Sequence, residues 1–194
     1  MSNYKATDAL LGLAIGDALG VPFEFKSSLE MQLQPATRMV GHGTHHQPIG
    51  TWSDDSSLSF CLAASLLEGY ELKDIAQRFI AWKEENYWTA WDNVFDIGRT
   101  TSRAIQQLSR ENLKSGGYVL ETIEASLWAF LTTSSYEDAV LTVINLGHDT
   151  DTTGAITGGL AGLYYGQENI PSQWLASLVK LEEIVELGNQ LSGL

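Results

Sequence analysis

One cysteine, four prolines and eleven basic side chains are all that this 194-residue chain holds of those types. A single Cys61 excludes an internal disulfide, and its setting in Leu58-Ser-Phe-Cys-Leu-Ala-Ala reads as a small buried core residue. Lys and Arg form no cluster, while 24 acidic side chains bring the formal charge to −13. Such a field repels nucleic acid and anionic lipid, so neither is an expected partner. No uncharged run reaches membrane-spanning length, and no apolar run follows a basic start, so a cytoplasmic protein is expected. Strict apolar/polar alternation is missing too, which leaves strands at most a minor part. Internal repeats and a composition break are also absent, and residues 1–194 read as one domain.

What the chain does have is core material. Six Trp, seven Tyr and six Phe, with 44% hydrophobic residues overall, supply enough apolar surface to offset ordering entropy. Helical spacing recurs along most of its length. Leu10, Leu13 and Ala14 share a face with Asp17, with Thr7 or Asp8 as a candidate cap and a break at Gly20-Val-Pro22. Residues 54–68 are apolar nearly all round, as in a buried helix. Leu72, Ile75, Ala76, Phe79 and Ile80 predict an amphipathic helix towards Trp88, and residues 97–108 another. Further helices are expected around 120–131, 139–144 and 152–165, with two weaker ones after Pro171. The 152–165 stretch carries Gly154, Gly158, Gly159 and Gly162. Each costs about 1 kcal/mol against Ala in an exposed helix, so this one is expected at the centre, where a neighbouring backbone approaches closely. The polar connection from Ser28 to Ser53 is too long for a simple linker.

Two clusters of oxygen side chains stand where buried helices begin: Ser53-Asp54-Asp55-Ser56 and Asp149-Thr150-Asp151-Thr152. One such residue per helix is a cap, satisfying orphan amides and complementing the helix dipole. Paired acids at both starts exceed capping. Burying several carboxylates without counter-charge is prohibitive, and a hard divalent cation with oxygen ligands removes the difficulty. His42, His45 and His46 lack a Cys partner and read as a solvated loop rather than a zinc site.

Four pieces then occur in a telling order: Gly12-Leu-Ala-Ile-Gly-Asp17-Ala-Leu-Gly20-Val-Pro22-Phe-Glu24-Phe, Trp52-Ser-Asp-Asp-Ser56, Asp96-Ile-Gly98-Arg-Thr-Thr and Leu146-Gly-His-Asp-Thr-Asp-Thr152. In this the sequence resembles the ADP-ribosylglycohydrolase family. The resemblance implies an all-α fold, a compact orthogonal helical bundle. It also implies a centre of two Mg²⁺ (or Mn²⁺), with Ser53, Asp54, Asp55, Asp149, Asp151 and Thr152 as metal ligands. Glu24, with Asp55, falls on the catalytic positions, and Asp96, Gly98, Arg99 and His148 on the substrate side. Asp17 either joins the site or braces the first helix and its loop. The implied reaction is metal-dependent hydrolysis of an ADP-ribosyl glycosidic bond, on an ADP-ribosylated protein or a small ADP-ribosyl compound. Between Arg110 and Gly117 the chain lacks a long segment that shapes the ADP-ribose pocket in relatives. The alternative is therefore a degenerate module that binds metal and ADP-ribose or a nucleotide without turnover.

Overall fold

In a computed structural model of the protein, residues 5–108 and 120–193 are described, and among them lie ten α-helices and no strand. They are α1 (Ala6–Gly20), α2 (Ser28–Leu33), α3 (Asp54–Leu66), α4 (Leu72–Glu85), α5 (Arg99–Leu108), α6 (Leu120–Thr132), α7 (Tyr136–Ile144), α8 (Thr150–Tyr165), α9 (Ser172–Ser177) and α10 (Leu181–Ser192). The expected all-α class holds. The shortened stretch 110–117 lies outside the described residues.

Helix starts follow their side chains. Ser135 Oγ accepts the Asp138 N–H at 3.0 Å to cap α7. In α2 the Ser27 hydroxyl accepts the Glu30 N–H while Glu30 accepts the Ser27 N–H at 2.9 Å, a reciprocal box. The long polar connection is therefore partly structured. Helix α1 starts one residue before the candidate caps: Lys5 stands at the cap position, and Asp8 accepts its N–H at 3.4 Å. Helix α4 stops short of Trp88, at Asn86 in the left-handed region.

The centre is an antiparallel pair, α1 against α8. Gly12, Gly16 and Gly20 recur every fourth residue and face Gly158, Gly154 and the Thr150–Asp151 backbone in turn. A Cβ on Gly16 would lie 1.9 Å from the Gly154 carbonyl oxygen, and one on Gly158 would lie 2.2 Å from that of Gly12. No side chain fits between these backbones. The glycine-rich helix is central, as its composition predicts, and the cost of its glycines is offset by this approach. Around the pair, Leu11, Ile15 and Leu19 join Phe60, Val140, Ile144, Trp174 and Ile184 in one core. Each such side chain contributes about 1.5–3 kcal/mol on burial. Tyr136 on α7 adds a buried hydroxyl that donates to the Gly12 carbonyl at 2.7 Å. Cys61 is buried as expected, and burial pushes its thiol up to about 12.

Residues Ala6–Phe23 are long and apolar enough to cross a membrane by length and composition, although Asp8 and Asp17 interrupt them. Here 78% of that stretch is buried inside the bundle, as its core helix. The antiparallel register has one consequence for chemistry. It sets the end of α1 beside the start of α8, and Asp17 reaches from α1 to the start of α3.

Candidate active site

Both acidic clusters begin helices whose N-terminal ends meet at this corner. Ser53 caps α3, its Oγ accepting the Asp55 N–H at 3.3 Å, which leaves Asp54 and Asp55 in the first turn. Asp149 stands at the cap position of α8, with Thr150, Asp151 and Thr152 following. Free amide groups and the helix dipole make both ends hospitable to negative charge. The clusters touch directly: Thr152 Oγ1 donates to Asp55 Oδ2 at 3.0 Å, across 97 residues of sequence.

Asp17 decides how α3 is held. It is wholly buried, and its carboxylate accepts the Ser53 N–H at 3.0 Å, the Ser56 N–H at 3.1 Å and the Ser56 hydroxyl at 2.5 Å. Neither expected reading describes these bonds: Asp17 braces the start of α3 and not its own helix and loop. Asp17 caps α3 from another helix and fixes where Asp54 and Asp55 point.

Glu24 follows a short 3₁₀ turn, Val21–Phe23, that continues α1 past Gly20, and it is 6% exposed. One oxygen each from Glu24, Asp149 and Asp151 lie within 4.8 Å of one another. A cleft of about 580 Å³ is lined by Glu24, Phe25, Asp54, Asp55, Asp96, Gly98, Thr101, His148, Asp149, Asp151 and Thr152. Nine of the eleven residues singled out from the sequence are thus brought together there. Arg99 is not among the lining residues. It opens α5 and is exposed. Ser53 is buried at the cap and lines no part of the cleft.

Sequence reasoning missed His45. The loop holding it is not simply solvated. His45 Nε2 is hydrogen-bonded to a Glu24 carboxylate oxygen and lies 3.7 Å from Asp96 Oδ2. Thr44 Oγ1 donates to the Glu24 carbonyl at 2.7 Å, and a Cβ on Gly43 would lie 2.0 Å from the Pro22 carbonyl oxygen. His42 and His46 take left-handed φ values of 69° and 56° on either side of the turn. A polar loop with three histidines carries no local signal that distinguishes the middle one.

Among the described residues no lysine or arginine lines the cleft, and the carboxyls there resist ionisation. Burial first, then Asp17, Asp55 and Glu24, pushes Asp151 up to about 11. Burial, then Asp96, raises Glu24 to about 8, and burial, then Asp55, raises Asp54 to about 8. Asp17 rises to about 7 mainly by burial, against its hydrogen bonds. Asp55 rises to about 6 through burial, opposed by the Thr152 hydroxyl. A set of buried like charges with hard oxygen donors, converging from two helix starts, fits a divalent cation by the chemistry of its donors.

The family model for ADP-ribosylglycohydrolase matches residues 2–116 and again 108–194. The ADP-ribosylarginine hydrolase of Serratia proteamaculans is 26% identical over 291 positions, covering 96% of this chain and 78% of that protein. The ADP-ribosyl-[dinitrogen reductase] glycohydrolase of Rhodospirillum rubrum is 23% identical over 288 positions, covering 98% and 95%. Both alignments run over far more positions than the 194 residues here, and the family model resumes near residue 108, so the relatives' additional segment falls in the middle of this chain. A solved structure described as an ADP-ribosylglycohydrolase-related protein complex superposes with a TM-score of 0.78 at 25% identity, covering 98% of each chain. Matched on both sides of that missing segment, and with helices and no strand among its described residues, the chain belongs to the ADP-ribosylglycohydrolase family and is a hydrolase of that type.

Proposed function

We propose that the protein is a metal-dependent hydrolase that removes ADP-ribose from a modified protein or small molecule, with ADP-ribosylarginine as the first substrate class to consider. The observation that carries this reading is the junction of the two acidic clusters, where Thr152 bonds Asp55 and the Glu24 carboxylate lies against Asp149 and Asp151. The arginine linkage is taken from the printed activity of the Serratia relative and a similar one from Pseudomonas putida.

Asp54, Asp55, Asp149, Asp151 and Thr152 would hold a pair of Mg²⁺ or Mn²⁺ ions, with Ser53 at the edge of the set. When bound, such ions supply positive charge for the ribose hydroxyls and make a water more acidic. Glu24 would take the proton of the attacking water as its oxygen bonds to the anomeric carbon and the bond to the leaving group breaks. The proton then passes to the departing group, so one water is consumed for each ADP-ribose released. Positive charge gathers on the sugar in between, and carboxylates around the cleft stabilise it. His45 is hydrogen-bonded to one Glu24 oxygen and orients that carboxylate. His148 and Asp96 stand on the substrate side of the same cleft.

Incubation with ADP-ribosyl-arginine and ADP-ribosyl-serine, with and without Mg²⁺ or Mn²⁺, tests the reading. Metal-dependent release of free ADP-ribose is expected from the arginine compound. Release of none from either substrate at millimolar metal overturns it.

A further inference from the structure

Phe25 is out of place by the ordinary rules. It follows Glu24 directly, is 70% exposed, and adopts φ = 63°, a conformation that β-carbon-bearing residues avoid. An exposed phenylalanine gains little from packing, and its backbone costs free energy. The conformation is nevertheless held from both sides. The Phe25 N–H donates to the His148 carbonyl at 2.8 Å, and the His148 N–H donates to the Lys26 carbonyl at 2.7 Å. His148 itself has φ = 65°. Two left-handed, non-glycine residues are thus strapped together at the rim of one cleft, and theirs are the two aromatic rings among its lining residues. Strain maintained in this way is characteristic of ligand sites.

The ring's neighbours define what it meets. Behind it stands His45, with ring centroids 6.0 Å apart, and behind that Phe95, at 5.5 Å from His45. His45 in turn is hydrogen-bonded to Glu24 and lies 3.7 Å from Asp96 Oδ2, and both acids line the same cleft as Phe25. The neighbouring Lys26 ammonium is turned away, 5.0 Å over the Phe23 ring. An aromatic face flanked by carboxylates, with no ammonium over it among the described residues, attracts a planar cation. Its place relative to the reaction is set by the chain: Phe25 Cα is about 3.8 Å from the Cα of Glu24. The adenine of an ADP-ribosyl group is separated from its reacting carbon by two sugars and a pyrophosphate. A ring adjoining the proposed base therefore meets the leaving group and not the adenine.

We propose that Phe25 is the platform of a leaving-group subsite that receives the planar guanidinium of an ADP-ribosylated arginine. This inference rests on the hydrolase reading above and adds the residue that selects the linkage. Phe25→Leu keeps an apolar side chain of similar bulk and removes the aromatic face. Steady-state hydrolysis of ADP-ribosyl-arginine should show KM raised between about threefold and thirtyfold, the span from exposed to desolvated cation–π contacts, with a much smaller change in kcat. Phe25→Tyr should restore the wild-type KM, and inhibition by free ADP-ribose should be the same in all three proteins. An unchanged KM in Phe25→Leu overturns the subsite while leaving the hydrolase reading intact. A parallel loss of ADP-ribose inhibition also overturns it, because it would put the ring under the sugar or the base. Were the wild type to bind ADP-ribosyl-arginine without cleaving it, the hydrolase reading would fail by itself. Calorimetric dissociation constants for the same three proteins would then show the same ratios or overturn the platform. No binding by the wild type overturns both.

Discussion

Helix α3 has an acidic cleft at each end, and the two differ in everything except size and sign. The cleft at its start measures about 580 Å³; the one beyond its last turn, between α3, α4 and α10, measures about 560 Å³. The second is bordered by Glu68, Glu182, Glu183 and Glu186, all exposed. The one cation among its described lining residues, Arg78, is occupied by Asp74 at 2.6 Å and donates to the Tyr87 hydroxyl at 3.0 Å. Water solvates those glutamates, and nothing compels them to find a partner. At the other end, Asp17, Asp54, Asp55 and Asp151 are drawn in by backbone packing, and burial raises the same kind of carboxyl well above its ordinary range. Acidic composition is shared by both ends; chemistry follows from burial and from convergence of separate segments.

The largest effect that tests this contrast is expected at Glu24. Glu24→Gln keeps the shape and removes the charge, so the fold and metal binding should persist. Turnover should fall by 10²–10⁴-fold, the usual weight of general-base assistance. A loss of less than a few-fold in an active preparation would take the proton-transfer role from Glu24.

Next in size is the seam that builds the cleft. Gly158→Leu places a side chain where even its Cβ lies 2.2 Å from the Gly12 carbonyl oxygen, and backbone cannot step aside as a side chain tip can. Overpacking typically costs about 1–3 kcal/mol, and this substitution should reach the upper end or exceed it. Its denaturation midpoint should drop, and metal affinity with it, because α1 and α8 jointly position Asp17 and Asp151. An unchanged or higher midpoint would mean that the helices do not meet this closely.

How much of this was legible beforehand varies with the range of the interaction. Helices α3, α6, α7 and α8 could be read from apolar spacing, because a periodic face is a local property. Gly158 and Gly162 signalled close packing for the same reason. Their partners were also in view, as Gly12, Gly16 and Gly20 at the same spacing of four, but a stripe does not name the helix it meets. Asp17 shows the limit from the other side. An acid on an apolar face is visibly odd, yet its resolution is a cap on amides 36 and 39 residues away. His45 was illegible because its value comes from two left-handed residues and a Thr44 contact with the Glu24 backbone. Arg99, adjacent to Gly98 in sequence, is exposed at the start of α5 and does not line the cleft with it.

A smaller effect should appear in stability as a function of pH, and it separates the two clefts without any substrate. The carboxyls at the start of α3 and α8 have folded-state pKa values raised above the unfolded ones. Their contribution to stability is therefore full below about pH 4, where both states are protonated. It is lost as pH rises through about 6 for Asp55, about 7 for Asp17 and about 8 for Glu24 and Asp54. In EDTA the melting temperature should decline across that window. Saturating Mg²⁺ or Mn²⁺ should flatten the decline, since a ligand that binds only the folded, ionised site adds about 2.7 kcal/mol at a hundredfold excess over its dissociation constant. The same slope with and without metal would show that no cation engages these groups.

The smallest effect is expected at the other end of α3, and it bears directly on the contrast. Glu182→Gln, Glu183→Gln and Glu186→Gln remove three of the four carboxylates bordering the outer cleft. All three are exposed on α10, where Glu186 accepts a hydrogen bond from Gln190 at 2.7 Å. A glutamine retains the helix propensity and the side-chain length, so stability should move by less than about 0.5 kcal/mol for each. Glu182 and Glu183 lie in the first turn, where their charges complement the helix dipole, so their substitutions should be slightly unfavourable and that of Glu186 nearer to neutral. Metal affinity and turnover should match the wild type. A triple variant that loses metal binding or activity would break the comparison, because it would make the outer glutamates part of the working site despite their exposure. Retention of both, beside the loss expected at Glu24, would show that the two ends of one helix carry the same charge to different purpose.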